Sequence, residues 1–261
     1  MIKLKNKSSI LIVLISISFV LITLASAVLL YEKRGKIIKK IFNVDNSKPY
    51  VPKKFNIKDE YWAKKILEGG YILHFRHAER DKWIDVQMYD VLESHVHNNG
   101  SDNSRFAEND YFKQAVCLNS RGKIQARAMG EHIKNLKLPI SIVVSSVSCR
   151  ARQTAELAFG GYDLLKTLLV HYGPYNENAE DLSKKLKEYY LSIPLDSNGN
   201  TIISAHNGLI KRDMFSNGND FKDPLSLEEG GFYVISKKNG ELFLEYEFHF
   251  FKNFTSALYK R

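Results

Sequence analysis

From residue 61 onward the chain alternates short apolar runs of strand length with segments of helical spacing, and few folds satisfy that alternation. Residues 71–75, 140–144 and 201–204 are short apolar runs suited to strands buried on both faces. Between and around them, residues 60–67 predict a helix stopped by Gly69-Gly70. Ser120 can cap a helix in which Ile124, Ala128, Ile133 and Leu136 recur at helical steps, and residues 150–159 and 182–191 predict two more. Residues 232–236 and 242–248, with Lys238-Asn239-Gly240 between them, predict a terminal β-hairpin. Strands alternating with helices imply the α/β class, a three-layer α/β/α sandwich around a mainly parallel sheet. No internal repeat or low-complexity tract interrupts the pattern.

Ahead of this domain, residues 10–30 form 21 positions without charge, Pro or Gly. At about 1.5 Å per helical residue the run matches a hydrocarbon layer of about 30 Å. It predicts an N-terminal transmembrane helix over residues 10–31, behind a basic tail at 1–9. A cleaved signal peptide is the rival reading, because Ala25-Ser26-Ala27 resembles a small-residue cleavage site; the apolar run continues past it, which favours an uncleaved anchor. Residues 32–60, basic and then rich in Asn, Asp, Ser and Pro, read as a tether to a domain at 61–261. The expected location is a single-pass membrane protein. The flanking charges leave the side open: a count of Lys and Arg holds the domain inside, whereas an N-terminal signal-anchor places it in the periplasm or otherwise outside the cytoplasm.

The formal net charge is +9, which invites a nucleic-acid partner. Its distribution removes that partner. Of 38 Lys and Arg and 29 Asp and Glu, residues 1–40 hold eight basic and one acidic, leaving 30 against 28 and a net of +2 for the rest. The two cysteines, Cys117 and Cys149, read as small buried thiols, with a disulfide the alternative if the domain is extracytoplasmic.

Three polar clusters each follow directly on a predicted strand, at the edge of an open α/β sheet where ligand sites gather. They are Arg76-His77-Ala78-Glu79-Arg80, the stretch from Ser145 to Ala155 containing Arg150 and Arg152, and Ala205-His206-Asn207-Gly208. Arginine presents a permanently charged planar fork to phosphoryl oxygens. A neutral imidazole can attack phosphorus and hold it covalently, and a second imidazole can stabilise charge in the transition state. Arginines supply the positive field, so no metal or cofactor is expected.

Arg76-His77-Ala78-Glu79, the Leu118, Gly122, Gln125-Ala126 helix start, Arg150-Ala151-Arg152-Gln153-Thr154-Ala155 and His206 resemble the histidine phosphatase (phosphoglycerate mutase-like) superfamily over roughly residues 70–235. The resemblance implies that His77 is the nucleophile that becomes phosphohistidine, that Arg76 and Arg150 clamp the phosphate, and that His206 completes the pocket. Arg80 and Arg152 read as surface or supporting groups. The proton donor departs from the family: the acid-and-glycine pattern of one branch is not found, and where another branch has Asp after the second histidine this chain has Asn207. Glu177 is the best candidate, with Glu180 and Asp181 as rivals. The polar stretch between Arg80 and Leu118 reads as a mobile lid for substrate recognition; His95-Val96-His97 within it lacks an evident third metal ligand.

The apolar N-terminus, the Arg-His-Ala-Glu-Arg string and the later Asn-Glu stretch are also similar to lipopolysaccharide core heptose phosphatases. That likeness implies a phosphorylated small molecule, an envelope sugar phosphate, as substrate. Those relatives carry a cysteine soon after the first motif, where this chain has Asp81-Lys82-Trp83. The leading expectation is a membrane-anchored phosphomonoesterase. A phosphomutase using the same pocket and a non-catalytic module binding a phosphorylated ligand are the alternatives.

Overall fold

The computed structural model describes Thr23 and residues 57–81, 116–170 and 178–259. The basic tail, nearly all of the apolar run at 10–31, most of the tether, the stretch holding His95 and His97, and Glu177 lie outside the described residues. Among the described residues no helix is long and apolar enough to cross a membrane. The chain divides into two units between Lys54 and Phe55.

The second unit begins with α1 (Ile57–Ile66), β1 (Ile72–Arg76), α2 (Ser120–Leu136), β2 (Ile140–Ser146), α3 (Cys149–Phe159) and β3 (Leu164–Lys166). Then come α4 (Ala179–Ser192), β4 (Asn200–Ala205), β5 (Phe232–Lys238), β6 (Glu241–Phe248) and α5 (Phe251–Leu258). The six strands form one sheet in the order β3-β2-β4-β1-β5-β6. The β3-β2, β2-β4 and β4-β1 pairs are parallel, and the hairpin β5-β6 joins antiparallel to β1. The expectation of a mixed α/β fold with a mainly parallel sheet is met.

Side chains alternate across each strand, so β1 sends Ile72 to one face and Leu73 and Phe75 to the other. The first face packs against α4 through Leu182, Leu186 and Tyr190. The second packs against α1, α2, α3 and α5, where Met129, Ile133, Ala155, Ala158 and Phe254 meet Phe75, Ile202 and Phe232. Phe75 stacks on Phe232 at 4.5 Å and Phe232 on Phe248 at 4.8 Å between ring centroids. Each such pair contributes about 0.5–1.5 kcal/mol beyond its burial. These rings fasten the antiparallel hairpin to the parallel half of the sheet.

Two local expectations are corrected. Asn119, not Ser120, caps α2: its side-chain oxygen accepts from the Gly122 amide at 2.7 Å. The buried face of α2 is Gly122, Ala126, Met129 and Ile133, whereas Ile124 is 66% exposed. Small residues, Gly122 and Ala126, occupy the first part of that face because the helix start presses on the loop after β1. A Cβ added at Gly122 would lie 1.9 Å from the Glu79 carbonyl oxygen. β3 and α5 are elements that the sequence pattern does not predict.

Candidate active site

β1, β4 and β2 are adjacent and parallel, so their carboxyl ends reach the same edge of the sheet. Arg76 stands level with Ala205, and Ser145 with Ser204. The three polar clusters therefore converge at that edge, each released where its strand ends.

His77 follows β1 by one residue and its amide still donates to the Ala205 carbonyl at 3.0 Å, prolonging the ladder. The next amide, of Ala78, donates to Thr154 Oγ1 at 2.9 Å, and that hydroxyl donates to the Arg150 carbonyl at 2.8 Å. Gln125 accepts from the Glu79 amide and donates to the Glu229 carbonyl. Gln153 accepts from the Leu118 amide. Thr154, Gln125 and Gln153 thus tie the loop after β1 and the starts of α2 and α3 into one frame, which is a physical reason for those residue types at those positions.

The His77 side chain is 4% exposed. Its Nδ1 lies 2.7 Å from the Ala78 carbonyl oxygen. A carbonyl only accepts, so Nδ1 carries the proton and Nε2 keeps its lone pair. Burial, followed by the positive charge of Arg150, holds the imidazole pKa well below the ordinary histidine value; the Ala78 hydrogen bond acts the other way, and Arg76 and Arg80 add to the depression. The ring is consequently a neutral base at neutral pH. In an NMR titration of the full chain the His77 resonances should show no protonation between about pH 7 and pH 6, and a midpoint near the ordinary value of about 6.5 would contradict this environment.

Arg150, one residue into α3, is fully buried. Its Nη2 donates to His206 Nδ1 at 3.1 Å. A guanidinium has no lone pair to offer, so His206 Nδ1 accepts and the proton of the neutral ring sits on Nε2. That nitrogen donates to Ser146 Oγ at 3.1 Å. The His206 and His77 rings meet edge to face with centroids 5.4 Å apart. Arg76 is held from the other side: Nη1 donates to the Leu227 carbonyl at 2.5 Å and Nη2 lies 3.5 Å from Glu229 Oε1. Burial lowers the Arg76 pKa, Glu229 and Glu228 oppose the shift, and Arg150 adds to it; the group stays cationic at any working pH.

The structure thus brings Arg76, His77, Arg150 and His206 together. Arg80 donates to the Asp81 carbonyl and Arg152 to the Val147 carbonyl. Glu180 and Asp181 sit in the first turn of α4, where Asn178 caps through the Asp181 amide. The Asn207 side chain accepts from the Leu227 amide and donates to Ser226. Glu229 is a site residue that sequence reasoning does not single out; its only signal is an acidic pair just before Gly230-Gly231. Among the described residues no three His, Cys, Asp or Glu side chains gather as a metal site.

Cys117 and Cys149 form a disulfide, with Cα atoms 4.9 Å apart. The expectation of two buried thiols is therefore corrected; a separation of 32 residues carries no signal of pairing. The bond joins the approach to α2 to the first residue of α3, directly before Arg150. Closing a loop of this length is worth about 3–4 kcal/mol in the chain-entropy account. Cys117→Ser with Cys149→Ser should lower the unfolding midpoint accordingly; an unchanged midpoint in thermal denaturation would contradict the stabilising role.

Residues 111–171 match the sequence model of the histidine phosphatase superfamily, branch 1. The matched stretch holds Arg150 and the residues that frame the site, and lies between His77 and His206. No curated protein is significantly similar to the chain in sequence. Among solved structures, the chain is similar to the protein histidine phosphatase SixA complexed with tungstate, at 14% identity over 68% of this chain and 96% of that one, TM-score 0.41. It is similar to phosphoglycerate mutase from Bacillus anthracis at 15% identity, over 74% and 99%, TM-score 0.46. Phosphoserine phosphatase from Entamoeba histolytica, in complex with 3-phosphoglyceric acid, aligns at 15% identity over 68% and 95%, TM-score 0.41.

Proposed function

We propose that this chain is a histidine phosphatase that hydrolyses a phosphomonoester through a phosphohistidine on His77. The observation that carries the reading is the His77 ring: buried, neutral, proton-bound at Nδ1 to the Ala78 carbonyl, with the Nε2 lone pair left for attack beside a buried guanidinium.

In the first step the Nε2 lone pair forms a bond to phosphorus while the ester P–O bond breaks, its electron pair leaving on the alcohol oxygen. Arg150 and Arg76 bind the phosphoryl oxygens and stabilise their charge in the transition state. The hydrogen bond from Nδ1 to the Ala78 carbonyl stabilises the ring as Nε2 gives up its lone pair. His206 accepts from Arg150 and fixes the direction of that guanidinium. The departing oxygen takes a proton from Glu177. Water then attacks phosphorus, the N–P bond breaks, its electron pair returns to Nε2, and Glu177 takes the proton of the water.

The substrate class is a phosphorylated small molecule, with an envelope sugar phosphate as the proposed natural one. The domain is held at a membrane by the helix at 10–31 and faces outward. The Cys117–Cys149 bond supports that side, because disulfides persist in oxidising compartments.

The test is a turnover assay on the full chain with aryl, sugar and nucleotide phosphates in the presence of a chelator. Release of inorganic phosphate, inhibited by vanadate as a five-coordinate phosphoryl mimic, supports the reading. Transfer of the phosphoryl group back to a sugar phosphate without net release would establish a mutase instead. Glu177→Gln should slow esters with basic leaving groups more than aryl esters; equal slowing removes Glu177 from the donor role.

A further inference from the structure

β1 carries a histidine where an apolar side chain would serve the core. His74 is fully buried, on the same strand face as Ile72 and Arg76. Its Nε2 lies 3.1 Å from the His206 carbonyl oxygen, and its Nδ1 lies 2.6 Å from the Tyr190 hydroxyl. The carbonyl can only accept, so Nε2 carries the proton and Nδ1 accepts from Tyr190. Both bonds are directional, and neither partner is on β1: Tyr190 belongs to α4 and His206 follows β4. Tyr233 of β5 stands opposite, its ring 6.1 Å away. Burial lowers the His74 pKa to about 4 and raises that of Tyr190 well above its ordinary value, so the chain of donors keeps its direction at neutral pH.

We propose that His74, oriented by Tyr190, is a positioning residue for the phosphoryl site: it fixes the backbone of His206 so that its imidazole meets Arg150. A buried imidazole costs desolvation that Leu would not, and its geometric return is a fixed carbonyl at the point where β4 releases His206. Displacing His206 loosens Arg150 and leaves the hydrogen bond from His77 Nδ1 to the Ala78 carbonyl in place. The inference rests on the phosphohistidine reading for its kinetic consequence, and on the hydrogen bonds alone for its structural one.

The test uses the full chain and an aryl phosphate. His74→Leu should lower kcat by about tenfold or more with KM nearly unchanged, as expected for a misplaced group acting in the transition state. His74→Gln, which offers an amide N–H near the Nε2 position, should recover most of that loss. In a His206→Ala background, His74→Leu should cost nothing further. An equal fold-loss in both backgrounds, or wild-type kcat in His74→Leu, overturns the proposal.

Nitrogen NMR of the His206 ring separates this failure from that of the functional reading. The Nδ1 signal, set by its bond from Arg150, should move in His74→Leu and stay in His74→Gln. A shift without any phosphatase turnover by the wild type upholds the positioning role and sinks the phosphatase reading. An unmoved signal in an active enzyme does the reverse. Tyr190→Phe removes only the hydroxyl donor and should shift the same signal less; it supplies the readout if His74→Leu does not fold.

Discussion

His77→Ala is expected to lose at least about 10³-fold in kcat/KM on an aryl phosphate, because the proposed chemistry then lacks its phosphoryl acceptor. The loss should appear without unfolding. The ring is nearly enclosed, and its Nδ1 hydrogen bond runs to the neighbouring Ala78 carbonyl, so removing that bond unties no two elements. The backbone around it is held independently by Ala205, Thr154 and Gly230. The variant should therefore retain phosphate affinity while losing turnover, a combination that a binding module would not display. Full activity in His77→Ala would reject the nucleophile assignment outright.

Arg150→Lys is the second large effect. Lysine keeps the charge but loses the planar fork, so it cannot donate to His206 Nδ1 and hold a phosphoryl group in the same plane. A fall of about 10²–10³ in kcat/KM is expected, in the range measured when one preorganised donor is removed from an oxyanion site. Arg150→Met, similar in volume but uncharged, should fall further and change a second observable. The Arg150 charge is the largest cause after burial of the low His77 pKa. Without it the imidazolium is penalised less, and the His77 titration moves up towards the ordinary value of about 6.5. Wild-type kcat/KM in Arg150→Lys, or an unmoved His77 titration in Arg150→Met, would count against the geometry.

Much of this site is legible in the sequence because each of its parts follows a strand that announces itself. β1 is buried from Ile72 to Phe75, β2 over its last four residues and β4 throughout, so each contains an apolar run, and the polar residues that follow stand out by contrast. Their parallel order then places Arg76, His77, Arg150 and His206 at one edge. The features that escape sequence reasoning carry weaker signals. β3 has three residues, with Leu164 and Leu165 exposed at the sheet margin, so it has no burial pattern to read. The inner face of α2 is hard to read because close approach selects Gly122 and Ala126, which hydrophobic spacing undervalues, while Ile124 faces solvent. The disulfide depends on the meeting in space of two helix starts, which the residues between them do not encode locally. His74 sits inside a run that reads simply as a strand, and only the positions of Tyr190 and His206 in space give it a task.

Turnover alone does not distinguish covalent transfer to His77 from direct attack by water in the same cationic pocket. The decisive measurement is a rapid quench of the full chain with a radiolabelled phosphomonoester, split between acid and alkaline conditions, followed by mapping of the labelled peptide. The account predicts label that survives alkali, is lost in acid as an N–P bond is, and maps to His77. Steady phosphate release with no trapped label, or label on any other residue, would contradict it.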